Sequence, residues 1–197
     1  MTEAEWLTAT DPVPMLEFLA GRASARKLRL FAAACTRRAW RRVAAPGRAA
    51  VEAAERFADG LATPAELRAA RLACKYAGGG GAWYSAASRP EVAARNAALS
   101  ALAGCDPAAE RAAQAALLRD IVGNPCRPAP FDPAWRTADV LALALAAYDE
   151  RAFERLPILA DALADARCDD EAILGHCRSD GPHARGCWVV DLVLGKE

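Results

Sequence analysis

"SARKLRLFAAACTRRAWRRV", residues 24–43, repeats its apolar side chains on a helical period. Leu28, Phe31, Ala32, Cys35, Ala39 and Val43 fall on one stripe, while Arg26, Arg29, Arg37 and Arg41 project elsewhere. The spacing predicts an amphipathic helix with one buried face. The rest of the chain extends the same reading.

Fifty-one of the 197 residues are alanine, the best intrinsic helix former. Valine and isoleucine together number twelve and threonine six, too few of the branched residues that strands favour. Alanine buries little area, so the helices must pack closely and the few Trp, Phe and Leu must carry most of the burial energy. The expected fold is all-α: a compact bundle of about eight to ten short helices, in one or two lobes. The formal net charge is zero, which removes the bulk electrostatic case for a nucleic-acid or membrane-surface protein.

Helix starts are written in one idiom. Asp11-Pro12, Thr63-Pro64, Asp106-Pro107 and Asp132-Pro133 each set a capping side chain before a proline suited to the first helical position. The last lies in the proline-dense "RPAPFDPAW" (127–135) and reads as an ordered loop. Helices are expected at about 12–20, 24–43, 47–59, 64–76, 90–103, 107–121, 137–148, 155–166, 170–177 and 184–194. Gly123 should stop the sixth, and Pro157 should sit in the first turn of its helix.

"GGGGAWYS" (78–85) reads as a linker or inter-helix loop. It divides the chain into an N-terminal lobe (1–77) and a C-terminal lobe (86–197), hinged near Gly78–Gly81. No strand precedes these glycines and no Gly-Lys-Ser/Thr follows, so a phosphate loop is not indicated.

Residues 22–48 hold nine Lys/Arg and no acid. Arg37, Arg38, Arg41 and Arg42 would be the nucleic-acid contacts, with Trp40 available to stack. A plainer reading is a solvated face paired with acidic helices. The region 132–171, with ten Asp/Glu against four Arg, is the expected partner.

Both histidines of the chain lie in "HCRSDGPHARGCW" (176–188), with two of its seven cysteines. Cys168, Cys177, His183 and Cys187 have the residue types of a tetrahedral zinc site, but lack a Cys-x-x-Cys knuckle. A second reading makes Cys187 a nucleophile, its pKa lowered at a helix N-terminus, with His183 or His176 as base. Asp191 would stand two turns from His183 on one helix, about 12 Å along the axis, too far for a direct bond. The third reading, preferred here, is structural: the segment turns a corner between packed helices, its cysteines acting as small hydrophobes.

The opening "MTEAEWLTATDPVPMLEFLAGRASARKLRLFAAAC", the middle "AERFADGLAT", the junction "LLRDIVGNPCRP" and the close "RLPILADALADARCDDEAILGHCRSDGPHARGCWVVDLVLGK" resemble a paralogous protein family expanded in planctomycete bacteria. The resemblance implies a bacterial protein of the cytoplasm, in a set suited to variable partner recognition. It carries no catalytic or ligand residue over to this chain. The acidic start lacks the apolar core of a signal peptide, no apolar run is long enough to span a membrane, and unpaired thiols suit a reducing compartment. The expected function is a non-enzymatic interaction module with a protein partner. A zinc-stabilised module and a nucleic-acid binder through residues 22–48 are the alternatives.

Overall fold

The computed structural model describes residues 1–76, 80–103 and 105–196. Among these residues the chain is all-α, with twelve helices and no strand. The helices are α1 (Glu3–Thr8), α2 (Pro12–Phe18), α3 (Ala25–Arg38), α4 (Ala45–Ala58), α5 (Pro64–Tyr76) and α6 (Gly80–Ser85). They continue with α7 (Pro90–Ala101), α8 (Pro107–Val122), α9 (Ala138–Asp149), α10 (Leu156–Asp165), α11 (Glu171–Cys177) and α12 (Trp188–Leu194). Short 3-10 turns occupy Trp40–Arg42, Pro133–Trp135 and Phe153–Arg155.

The capping idiom does what its chemistry requires. Asp11, Asp106 and Asp132 accept the backbone N–H groups of Val13, Ala108 and Ala134 at 2.9, 3.0 and 2.8 Å. Thr63 and Glu66 close a reciprocal box: the Thr63 hydroxyl accepts the Glu66 N–H, and the Glu66 carboxylate accepts the Thr63 N–H. Asp132 opens only a 3-10 turn, in keeping with its proline-dense surroundings.

Three expectations need correction. α1 was not foreseen. Residues 80–85, read as linker, form α6; residues 77–79 lie outside the described residues. The chain divides into two compact units, but the division falls inside α8 rather than at the glycines. Unit 1 is Met1 with Thr8–Leu118, and unit 2 is Thr2–Leu7 with Arg119–Glu197.

In unit 1, α3 is buried on every side rather than on one stripe. All nine residues Leu28–Thr36 are inside. Ala32 packs in a cluster with Ala87, Ala93 and Ala97, and Ala33 in another with Ala50, Val51 and Ala54. Small side chains on each facing helix permit this close approach. Arg29 is inside because its guanidinium has acceptors waiting. It donates to the carbonyls of Ser85, Ala87 and Ser88 at 3.4, 2.6 and 3.2 Å, where α6 ends, and its charge lies over the Phe57 ring.

In unit 2, α9, α10, α11 and α12 enclose a core that includes Val140, Tyr148, Leu156, Leu159, Leu163, Ile173 and Val193. Each fully buried aliphatic side chain of this kind contributes roughly 1.5–3 kcal/mol. α1 anchors through Trp6, which is buried and donates its indole N–H to the Gly123 carbonyl at 2.9 Å. Gly123 ends α8 at φ +76°, and a Cβ there would stand 3.1 Å from the Trp188 side chain, so glycine is required twice over. Among the described residues no helix is long and apolar enough to cross a membrane. None of the seven cysteines is in a disulfide.

Candidate functional site

Unit 2 gathers its polar chemistry around one carboxylate. Asp120 lies in the last turn of α8, directly before Ile121, and is itself buried. Its Oδ1 accepts from His183 Nδ1 at 2.9 Å and faces His176 Nε2 at 3.2 Å. Its Oδ2 accepts the Ala184 backbone N–H at 2.9 Å. His176 comes from the last turn of α11, and His183 from the loop that follows. His176 Nε2 also meets Cys187 Sγ at 3.1 Å, and Cys187 is the residue that precedes α12. The imidazole rings meet edge to face, with centroids 5.0 Å apart, and the Trp188 ring lies 5.1 Å from that of His176.

The hydrogen-bond partners decide the protonation of His183. Its Nδ1 faces a carboxylate, and its Nε2 faces the Ser179 carbonyl at 3.2 Å. Both partners are acceptors only, so both ring nitrogens carry protons and the ring is cationic. Burial alone would lower the His183 pKa, but the Asp120 carboxylate and the Ser179 carbonyl together raise it. Burial alone would raise the Asp120 pKa, but the two histidines hold it below the usual carboxylate value. The result is a buried ion pair with its remaining oxygen satisfied by a backbone amide.

This corrects the sequence reading of the segment. His183 does not open the last helix; α12 starts at Trp188, after Gly186 turns the chain at φ +94°. His183, Cys187 and Asp191 therefore share no helical stripe. Cys187 does not have the lowered pKa of an exposed thiol at a helix start. It is fully buried, and burial followed by the Asp120 charge pushes its thiol well above the ordinary value. Nor do Cys187, His176 and Asp120 form a proton relay. A relay needs the nucleophile and the orienting carboxylate on opposite ring nitrogens, whereas here both meet Nε2.

Of the zinc quartet expected from sequence, His183 and Cys187 converge, and Cys168 and Cys177 do not join them. Asp120 and His176 take the other two places: one ligand atom from each of Asp120, His176, His183 and Cys187 lies within 4.8 Å of the other three. Cys168 and Cys177 are packed in the unit 2 core, and burial pushes the Cys177 thiol up to about 12. Sequence reasoning missed Asp120. The available signal was an ionisable residue inside the apolar run "AALLRDIV" (115–122), on a helix that buries Leu117, Leu118 and Ile121.

The basic segment is largely committed within unit 1. Arg37 makes a two-pronged bond to Glu55 of α4 at 2.6 and 2.7 Å and lies over the Trp40 ring at 4.2 Å. Arg48 approaches the same ring at 5.5 Å, so Trp40 already has cationic neighbours where a base would stack. Arg38 pairs with Glu110 of α8 at 2.9 Å. Arg42 donates to the Ala103 carbonyl at 3.3 Å, and both Arg41 and Arg42 are exposed. The acidic partners of Arg37 and Arg38 thus come from α4 and α8, not from residues 132–171.

No protein-family profile, no curated protein and no solved structure matches this chain.

Proposed function

We propose that this chain is a non-enzymatic helical module that presents helix faces to a protein partner, with its C-terminal unit held in shape by the Asp120 cluster. The carrying observation is that both histidines and Cys187 are spent on Asp120 and on one another. Asp120 takes contacts from α11 and from the loop before α12, and Cys187 is buried and protonated where a nucleophile would need to be exposed and ionised. A protein partner is favoured over nucleic acid because Arg37 and Arg38 are held by Glu55 and Glu110. Seven cysteines outside any disulfide suit a reducing cytoplasm, and the resemblance to planctomycete paralogues suits a bacterial set with varied partners.

Two measurements test the reading. Alkylation of the native protein should leave Cys187 slower to react than free cysteine near neutral pH; fast labelling of Cys187 that His176→Gln abolishes would make it a catalytic thiol instead. Affinity purification from the native host should bring down a protein in fixed ratio. Nucleic acid as the sole companion, released by salt, would contradict the choice of partner.

A further inference from the structure

We infer that Asp120, His176, His183 and Cys187 form a binding site for a zinc-like divalent cation. The donor set is one carboxylate oxygen, two imidazole nitrogens and one sulfur, the types that zinc takes in four-coordinate sites. Zinc bonds of about 2.0–2.3 Å place tetrahedral donors roughly 3.3–3.8 Å apart. Here the closest separations are 2.9, 3.1 and 3.2 Å, and none exceeds 4.8 Å. Side-chain adjustments of less than about 1.5 Å bring the four donors to bonding distance of one centre.

The surroundings of the donors give a second, independent argument. A histidine that ligates a metal commonly donates its other N–H to a carbonyl or carboxylate, which fixes its tautomer. His183 does so, with Nδ1 turned inward and Nε2 donating to the Ser179 carbonyl. A ligating carboxylate is likewise held through its free oxygen, and Asp120 Oδ2 accepts the Ala184 amide. The charges also match. Asp120 as carboxylate and Cys187 as thiolate supply two negative charges against the two positive charges of the ion, and both histidines serve as neutral donors.

The exchange balances without an oxidant or reductant. Four metal–ligand bonds form; the Cys187 S–H and His183 Nδ1–H bonds break and two protons pass to solvent, while the proton that His176 Nε2 directs at Asp120 moves to Nδ1 of the same ring, which stays neutral. The ion takes over the contact that the imidazolium proton makes with Asp120. With four protein ligands, no coordination position remains for a substrate, so the site is structural rather than catalytic.

The inference rests on reading these four side chains as a clasp, and the two can fail separately. The test is titration of chelator-treated full-length protein with zinc and, in parallel, with cobalt(II) as a spectroscopic probe. The expected result is about one equivalent bound per chain, a raised melting temperature, and the sulfur-to-cobalt charge-transfer band of a thiolate-bound ion. Cys187→Ala and His183→Ala should each weaken binding by more than about 100-fold, since even supporting residues outside the ligand shell cost about 10–100-fold. Cys168→Ser and Cys177→Ser should bind as the parent does. Absence of stoichiometric binding by the parent protein overturns the inference, and this measurement needs no variant to fold. Binding lost in Cys168→Ser or Cys177→Ser but kept in Cys187→Ala also overturns it, by returning the site to a different set of ligands. The clasp itself would still be judged by the stability of Asp120→Asn.

Discussion

At the scale of single residues, the account turns on Asp120 and the cation beside it. Asp120→Asn keeps the shape of the side chain and removes the charge, leaving the His183 imidazolium buried without its counter-ion. Breaking a buried pair in this way costs about 3–5 kcal/mol, so the urea midpoint of metal-free protein should fall sharply. A midpoint within error of the parent would refute the pairing. The pH dependence has a definite sign. Asp120 is held below its ordinary pKa, so its contribution is complete above about 3.9 and is lost as pH falls through the lowered folded value. His183 is raised, so its contribution is complete below about 6.5 and is lost as pH rises through the raised folded value. Without metal, the pair should therefore stabilise most between about pH 4 and 6.5 and weaken on either side. Zinc bound at the inferred site should reverse the alkaline limb, because its ligands would have to shed protons and its affinity would rise with pH. Denaturation midpoints against pH, with and without chelator, should diverge above about pH 6.5; parallel curves would show that no ion competes with these protons.

At the scale of elements, what could be read from the letters was the local chemistry. Asp11, Thr63 and Asp106 announce helix starts because each bond they make spans two or three residues. Pro157 falls in the first turn of α10 and Gly123 follows α8 for the same local reasons. α6 was hidden because Gly80 and Gly81 carry no helical signal; packing against α3 and α7 supplies what propensity does not. The start of α12 was misplaced because "HARGCW" (183–188) has the spacing of a helix, while Gly186 adopts a turn that spacing does not encode. The end of α10 shows a residue against type. Ala166 caps it, and Arg167 follows at φ +71°, its N–H bonded to the Ala164 carbonyl and that of Cys168 to the Leu163 carbonyl. This is the Schellman pattern, with arginine where glycine is usual. Arg167 is exposed, so Arg167→Gly should relieve the left-handed strain and stabilise the protein by about 1 kcal/mol. Calorimetry should show a melting temperature a few degrees higher; a decrease would mean the arginine side chain does more than occupy the turn.

At the scale of the whole molecule, the sequence disclosed the class of fold but not which distant residues meet. Composition alone pointed to helices. The contacts that define each unit join positions far apart in the chain: Arg38 with Glu110 in unit 1, and Asp120 with His176 and His183 in unit 2. A single sequence does not encode such pairings locally, which explains why it points to 132–171 for the acidic partner of the basic segment, and to Cys168 and Cys177 rather than Asp120 and His176 as the companions of His183 and Cys187. The division into units gives the most direct measurement. Amide hydrogen exchange should be compared between the metal-free parent and Asp120→Asn, under conditions where both are folded. If Asp120 is the clasp of unit 2, exchange should accelerate in peptides covering 171–194 and stay unchanged across the buried centre of α3 at 28–36. Equal rates across 171–194 in the two proteins would contradict the account.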